Sequence, residues 1–411
     1  MPEETIIIGG AGHAGVQTAV RLRELGWAGR ILMIAPDADD PYERPPLSKH
    51  FLEPGSPDTV VPLRRPGYFE SKGIERRRGR IERVVPSTRY VLLESGSRVD
   101  YSKLVLAPGS HARRLLVPGG DLAGIHQLKT REDALALKVA LRGGARVVVI
   151  GAGYIGLEVA AAAAAIGCET TVLEFEKRVM NRVTSEPVSR YFQRIHQDRG
   201  TRFVFGAAVT EVRGDGRAQE VLASDGSVYP ADVVVVGIGV VPLQELARDC
   251  GLRVADGIVV DHDSRTSDPD IYAAGDATRL IDAHDGTNRR LESIQSAVAQ
   301  ATNAANHIMG SPSGKREVPW FWTVQHGVRF QTAGLRDPGD TVVVRGSETE
   351  QFSVLYLREG RLAAIDTVGS LRDFNPGKKL IAAAIRIDPQ RAADPAVKLS
   401  EAAVDLAAHE V

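Results

Sequence analysis

RVVVIGAGYIGLEVAAAAAAIG, residues 146–167, is the stretch that decides the architecture. Arg146–Ile150 is an apolar, β-branched run of strand length, so a strand is expected. Gly151, Gly153 and Gly156 follow it in the spacing G-x-G-x-x-G. The first glycine permits a tight strand-to-helix turn, the second close approach of backbone to a pyrophosphate, and the third close packing of helix on strand. The Ala-rich run 157–166 reads as a helix stopped by Gly167. Residues 170–173 read as a second strand that ends at Glu174. A helix opening on free N–H groups holds an anion, and a carboxylate at the end of the second strand takes ribose hydroxyls. Glu174 therefore favours a nucleotide without a 2′-phosphate, although Lys177 and Arg178 stand close by.

The same pattern opens the chain. An apolar strand at 5–8 runs into Gly10, Gly12 and Gly15, a helix is expected through about Leu25 before Gly26, and a second strand at 30–34 stops at Pro36. Asp37 is the ribose candidate in this unit. A lone G-x-G-x-x-G is weak in a chain where 41 of 411 residues are glycine. Two of them, each between a strand and a helix, are strong. They lie about one domain apart, too far for a solenoid repeat. The expected fold class is α/β, with two Rossmann-like dinucleotide-binding domains.

Composition agrees and excludes alternatives. Basic and acidic side chains number 51 and 52, so no global nucleic-acid or membrane footprint is expected. The two cysteines, Cys168 and Cys250, form no CxxC, metal-ligand or disulfide pattern, and no metal is expected. The opening MPEETIIIGG lacks a basic segment ahead of a long apolar core, so no signal peptide is read and a cytoplasmic location is expected. The most apolar stretch, 159–166, is too short to span a bilayer.

Elsewhere the pattern is plainer. The Pro-rich 41–47 stretch interrupts regular structure, and 80–106 alternates as a small set of strands before Ala107-Pro108-Gly109. Residues 232–236 read as a buried strand leading to Gly237-Ile238-Gly239. From Trp320 onward, short alternating runs at 341–345, 352–357 and 362–366 suggest a small antiparallel sheet with helices near the end. This is a C-terminal α+β domain.

Five blocks carry a family resemblance: YERPPLSK at 42–49, GAGYIGLE at 151–158, YAAGD at 272–276, RLESIQ at 290–295 and PWFW at 319–322. In this order they make the chain resemble the FAD-dependent NADH–ferredoxin reductases of bacterial oxygenase systems, from Ile6 to about Ile381. The resemblance implies a glutathione-reductase-like arrangement. Residues 1–115 and 243–319 would form a discontinuous FAD-binding domain, 116–242 the NADH-binding domain, and 320–411 the C-terminal domain.

It also implies site residues. For FAD these are Gly10, Gly12, His13, Ala14, Gly15, Asp37, Arg44, Lys49, Val84, Ala107, Gly109, Arg131, Gly275, Asp276, Ser293, Ile294 and Trp322. For NADH they are Gly151, Gly153, Tyr154, Ile155, Gly156, Glu174 and Gly239. Lys49 would lie near the isoalloxazine and pair with Glu158, while Trp320 and Trp322 would border the flavin toward the acceptor. Glu292, Ser293 and Gln295 would open a helix or loop near the flavin edge.

Several positions depart from the family pattern. Pro108 stands where Thr is usual, Ala35-Pro36-Asp37 replaces Gly-Asp-Glu, Val324 replaces an aspartate, and Leu243 replaces an asparagine.

The implied reaction is hydride transfer from NADH C4 to flavin N5, then single-electron delivery to a [2Fe-2S] ferredoxin serving a P450 or a dioxygenase. An acidic ferredoxin would meet basic contacts drawn from Arg64, Arg65, Arg289, Arg290, Lys315 and Arg316. The protein would be a monomer or weak homodimer. The alternatives are a disulfide reductase, which needs a redox cysteine that neither thiol supplies, an NADH oxidase-type flavoprotein, and an NADH-gated binding flavoprotein.

Overall fold

The computed structural model describes residues 4–37, 39–281, 286, 288–314 and 317–404. The chain divides into two compact units, Met1–Glu43 with Val60–His111 and Val240–Arg316, and Arg44–Thr59 with Ala112–Gly239 and Glu317–Val411.

The first unit is built on a five-stranded parallel sheet in the order Ile271–Ala273, Lys103–Leu106, Thr5–Gly9, Arg30–Ala35, Ile74–Arg78. Ile6, Ile7 and Ile8 are all completely buried, as a central strand with both faces covered requires. Helix His13–Glu24 follows the first strand and packs against helix Ile294–Ile308. It ends as expected, with Gly26 left-handed at φ +87°. The second strand runs one residue further than expected, to Ala35.

The second unit repeats the design. Its parallel sheet has the order Arg202–Phe205, Glu169–Glu174, Arg146–Ile150, Val233–Val236, Ile125–His126. Helix Tyr154–Ile166 includes the first turn that the sequence reading assigned to the motif, and Gly167 caps it at φ +88°. Its Ala-rich face lets it sit close on the sheet, and Val159, Ala160 and Ala163 have no exposed surface. The interrupted Pro-rich stretch becomes two short 3-10 helices, Pro45–Ser48 and His50–Leu52.

The same unit contains the C-terminal antiparallel sheet, ordered Trp320–Gln325, Val328–Gly334, Arg361–Val368, Phe352–Arg358, Thr341–Gly346. Helix Leu371–Ala382 covers one face through Phe374, Leu380 and Gly377, whose missing side chain leaves room for Ile365. No described helix is long and apolar enough to cross a membrane.

An imidazole pair, His196 fully buried and His326 partly so, ties this sheet to helix Glu186–Gln197. His196 Nδ1 lies 3.2 Å from His326 Nε2 in the 326–327 turn. The other His196 nitrogen meets Gln325 Oε1 at 3.0 Å. Burial, with a push from Arg199, lowers the His196 pKa to about 4, while burial, His196 and Arg199 lower that of His326 to about 3. Both folded values lie below the free imidazole value of about 6.5. The neutral pair therefore stabilises the fold fully above about pH 6.5, and that contribution is lost as pH falls through about 4. The unfolding temperature should drop across that window, and His326→Gln should flatten the profile. Identical profiles by calorimetry would exclude the pair as the cause.

Candidate functional site

The two glycine turns have the same geometry. At Gly10 the backbone sits at φ +130°, and a Cβ would fall 2.0 Å from Ala107 O. At Gly15 it would fall 2.0 Å from Gly10 O. In the second turn a Cβ on Gly151 (φ +101°) would meet Gly237 O at 2.6 Å, and one on Gly156 would meet Gly151 O at 2.1 Å. The first and third glycines are therefore demanded by the fold itself. The middle ones are not, because a Cβ on Gly12 or Gly153 would meet nothing within 4 Å. Both have ordinary extended backbone, with φ −76° and −77°. Nothing in the polypeptide requires glycine there, and a pyrophosphate lying against the chain does. On this test the residues fit two dinucleotides.

In the first unit, small side chains converge on the turn. Ala14, Ala107, Ala274, Ala297 and Ala301 form one cluster, and a Cβ on Gly275 (φ +87°) would fall 3.2 Å from Ala14 Cβ. Gln300, which the sequence reading did not single out, fixes Gly275 by accepting its N–H at 2.7 Å and the Thr278 hydroxyl at 2.9 Å. Ser110 donates to Asp276 Oδ2 at 3.0 Å. Ser293 caps helix Ile294–Ile308 by accepting from Ser296 N at 3.1 Å, and Ile294 in its first turn stays 37% exposed. Glu292 forms an ion pair with Arg290. Gly109, which follows Pro108, is left-handed at φ +77°. Leu243 N bonds Gly109 O at 3.0 Å. Asp37 is exposed past the end of its strand. The Val84 side chain is 3% exposed in the core with Ile7 and Leu32, so it is not presented to a nucleotide.

In the second unit, Glu174 reaches back to the glycine turn. Its Oε2 accepts Ala152 N–H at 2.6 Å and its Oε1 accepts Glu176 N–H at 2.8 Å. Arg178, a possible ligand for a 2′-phosphate by position, is otherwise engaged. It donates to Ser189 Oγ, to Asn181 O at 3.1 Å and to Thr184 O at 2.8 Å. Ile155 stays 40% exposed on the first turn of its helix. Tyr154 turns away to stack on Phe321, with centroids 4.6 Å apart. Gly239 is at φ +99° and accepts Arg113 N–H at 2.9 Å.

The Lys49–Glu158 pair expected from the resemblance is present. Lys49 Nζ lies 2.8 Å from Glu158 Oε2, and the Glu158 side chain is 3% exposed. A carboxylate buried this deeply needs several donors. Ser48 supplies a second through its hydroxyl, and Thr323 a third on Oε1. Neither was read from sequence. Trp322 lies 5.2 Å from Lys49 Nζ and 5.5 Å from the Arg329 guanidinium.

The structure does not bring Trp320 to this cluster. It packs edge-on against Phe374, with Lys378 over its ring, in the C-terminal core. Arg44 donates to Lys129 O at 2.7 Å, and Arg131 donates to Asp58 O at 3.3 Å. Arg290 is neutralised by Glu292 and Asp256, Arg64 lies over Tyr68, and Arg65 is exposed. Lys315 and Arg316 lie outside the described residues.

The thiols are not activated. Burial raises the pKa of both Cys168 and Cys250, which donate to Arg142 O and Ala247 O. A nucleophilic cysteine needs the opposite shift.

Residues 4–301 match the family described as pyridine nucleotide-disulphide oxidoreductase, and residues 320–403 match the reductase C-terminal family. A probable ferredoxin reductase of Castellaniella defragrans is 40% identical over 98% of this chain and 99% of its own. The crystal structure of the ferredoxin reductase for the CYP199A2 system of Rhodopseudomonas palustris has a TM-score of 0.93 and 39% identity, covering 98% of this chain and 100% of that one. The reductase in a covalent putidaredoxin reductase–putidaredoxin complex gives 0.93 and 34%, over 97% and 98%.

The chain belongs to the pyridine nucleotide-disulphide oxidoreductases. Within them it is a ferredoxin reductase, an oxidoreductase that uses FAD and a pyridine nucleotide to deliver electrons to a ferredoxin.

Proposed function

We propose that the chain takes electrons from NADH and passes them singly to an acidic [2Fe-2S] ferredoxin of a P450 or dioxygenase system. FAD would be held at Gly10–Gly15 with Ala107, Gly109, Gly275, Asp276 and Ser293, and NADH at Gly151–Gly156 with Ile155 and Glu174. The domain division read from sequence, with FAD-binding, NADH-binding and C-terminal parts, goes with this assignment. So do a cytoplasmic location and a monomeric or weakly dimeric state.

The observation that carries the reading is the buried Lys49–Glu158 pair beside Trp322. Bound FAD would supply the conversion of one hydride into two separately released electrons. The chain's own residues do the rest. Lys49 presents an N–H donor whose direction is set by Glu158, and Ser48 and Thr323 keep that carboxylate from swinging away. Trp322 adds an aromatic face beside the ammonium. Glu174 supports NADH over NADPH, because a 2′-phosphate would face a carboxylate while Arg178 is committed to the backbone.

The test is an anaerobic titration followed by visible spectroscopy, then addition of a [2Fe-2S] ferredoxin. NADH is expected to bleach the flavin at one equivalent and to outperform NADPH in kcat/KM by at least about tenfold, a 1.4 kcal/mol difference. The ferredoxin should then be reduced far faster than dioxygen. Rapid oxygen consumption with no ferredoxin reduction would overturn the reading in favour of an NADH oxidase.

A further inference from the structure

The loop 175–185, between strand Glu169–Glu174 and helix Glu186–Gln197, closes a ring of hydrogen bonds with the second glycine turn. Ala152 donates its N–H to Glu174 Oε2 at 2.6 Å, and its carbonyl accepts Met180 N–H at 2.9 Å. Glu176 N–H donates to Glu174 Oε1 at 2.8 Å, and Asn181 Nδ2 donates to Glu176 Oε2 at 2.9 Å. The direction of the Glu174 carboxylate thus depends on the path of the loop. Met180 is left-handed at φ +51°, a conformation that a non-glycine residue keeps only where its surroundings hold it.

What holds the far end of the loop is a side chain of the C-terminal sheet. Thr184 Oγ1 donates to Asp366 Oδ2 at 2.7 Å. The Tyr356 hydroxyl donates to the same oxygen and lies 2.8 Å from Ser185 Oγ. Asp366 is 1% exposed and forms no ion pair among the described residues. A buried carboxyl without a bonded cation is costly to keep, and here its hydroxyl partners converge from the loop end and the neighbouring strand.

We propose that Asp366 is a positioning residue for the NADH site: through Thr184 it holds loop 175–185 in the path that aims Glu174 across the glycine turn. This rests on the assignment of NADH to Gly151–Gly156. The role concerns the adenosine end of the nucleotide, so it acts on binding and on NADH/NADPH choice and leaves the transfer step alone.

The experiment compares wild type, Thr184→Val, Thr184→Ser and Asp366→Asn as FAD-loaded protein. The readouts are the Kd of NAD+ by isothermal titration calorimetry and the NADH/NADPH ratio of kcat/KM. Thr184→Val keeps the side-chain shape and removes the hydroxyl. It should weaken NAD+ binding about 5- to 10-fold, the scale of one lost hydrogen bond, and lower the NADH preference by a similar factor. kcat should stay within about twofold, an effect below 0.5 kcal/mol. Thr184→Ser should restore both binding and preference. Asp366→Asn should move both in the same direction as Thr184→Val. Flavin content and Tm of the same preparations separate these effects from unfolding.

Wild-type binding and preference in Thr184→Val would overturn the proposal. Glu174→Ala distinguishes the two levels of the argument. If it binds NAD+ as tightly as the wild type, the site assignment falls and the positioning role with it. If Glu174→Ala loses NAD+ while Thr184→Val does not, the positioning role alone is overturned.

Discussion

Gly12→Val is expected to purify as a folded protein without its yellow flavin. The position is extended at φ −76°, and a Cβ there meets no protein atom within 4 Å, so valine costs the polypeptide little. The space it enters is the one a pyrophosphate needs in order to reach the N–H groups of helix His13–Glu24. FAD affinity should fall at least about 100-fold, or 2.7 kcal/mol. Gly10→Ala is the matched opposite. Its Cβ would lie 2.0 Å from Ala107 O at φ +130°, so the fold itself is strained by about 3 kcal/mol or more, flavin or not. The visible-to-ultraviolet absorbance ratio and Tm of both variants decide the matter. A yellow Gly12→Val protein with wild-type flavin content would show that the first turn does not hold the pyrophosphate.

Lys49→Met should slow reduction of the flavin by NADH about 10- to 100-fold, a barrier increase of 1.4 to 2.7 kcal/mol, while NADH Kd changes much less. Removing the ammonium leaves Glu158 buried with, among the described residues, the Ser48 and Thr323 hydroxyls as donors. Stability should therefore fall by about 3 kcal/mol, the usual cost of breaking a buried pair from one side. Lys49→Met combined with Glu158→Gln removes the stranded charge and should recover most of that stability but not the rate. Stopped-flow bleaching and thermal unfolding on the same samples separate the two effects. Bleaching at the wild-type rate in Lys49→Met would remove Lys49 from the chemistry.

Much of the architecture was legible because its signals are local. A buried parallel strand announces itself as an unbroken β-branched run, as in Ile6–Ile8 and 147–150, since both of its faces are covered. The glycine turns are equally local, because left-handed backbone and sub-contact carbonyl distances leave one residue type. The site was legible only in part. Lys49 and Glu158 stand out within quoted motifs, but Ser48 and Thr323, which share the Glu158 carboxylate, carry no motif signal strong enough to name them. Val84 shows the converse: its strand was foreseen, yet which way its side chain points depends on the sheet packed above it.

The sequence by itself determined the two nucleotide turns, their order, and the C-terminal antiparallel sheet, since each rests on spacing within a few residues. Only the tertiary structure decided how the groups are used. It set the Ser48 and Thr323 hydroxyls on the Glu158 carboxylate and committed Arg178 to the carbonyls of Asn181 and Thr184. It also separated Trp320, packed on Phe374, from Trp322 beside Lys49, and joined Thr184 to Asp366. The physical reason is that a buried polar group must find its partner wherever the chain brings one, and that partner is chosen by packing across the fold, where sequence spacing has no say.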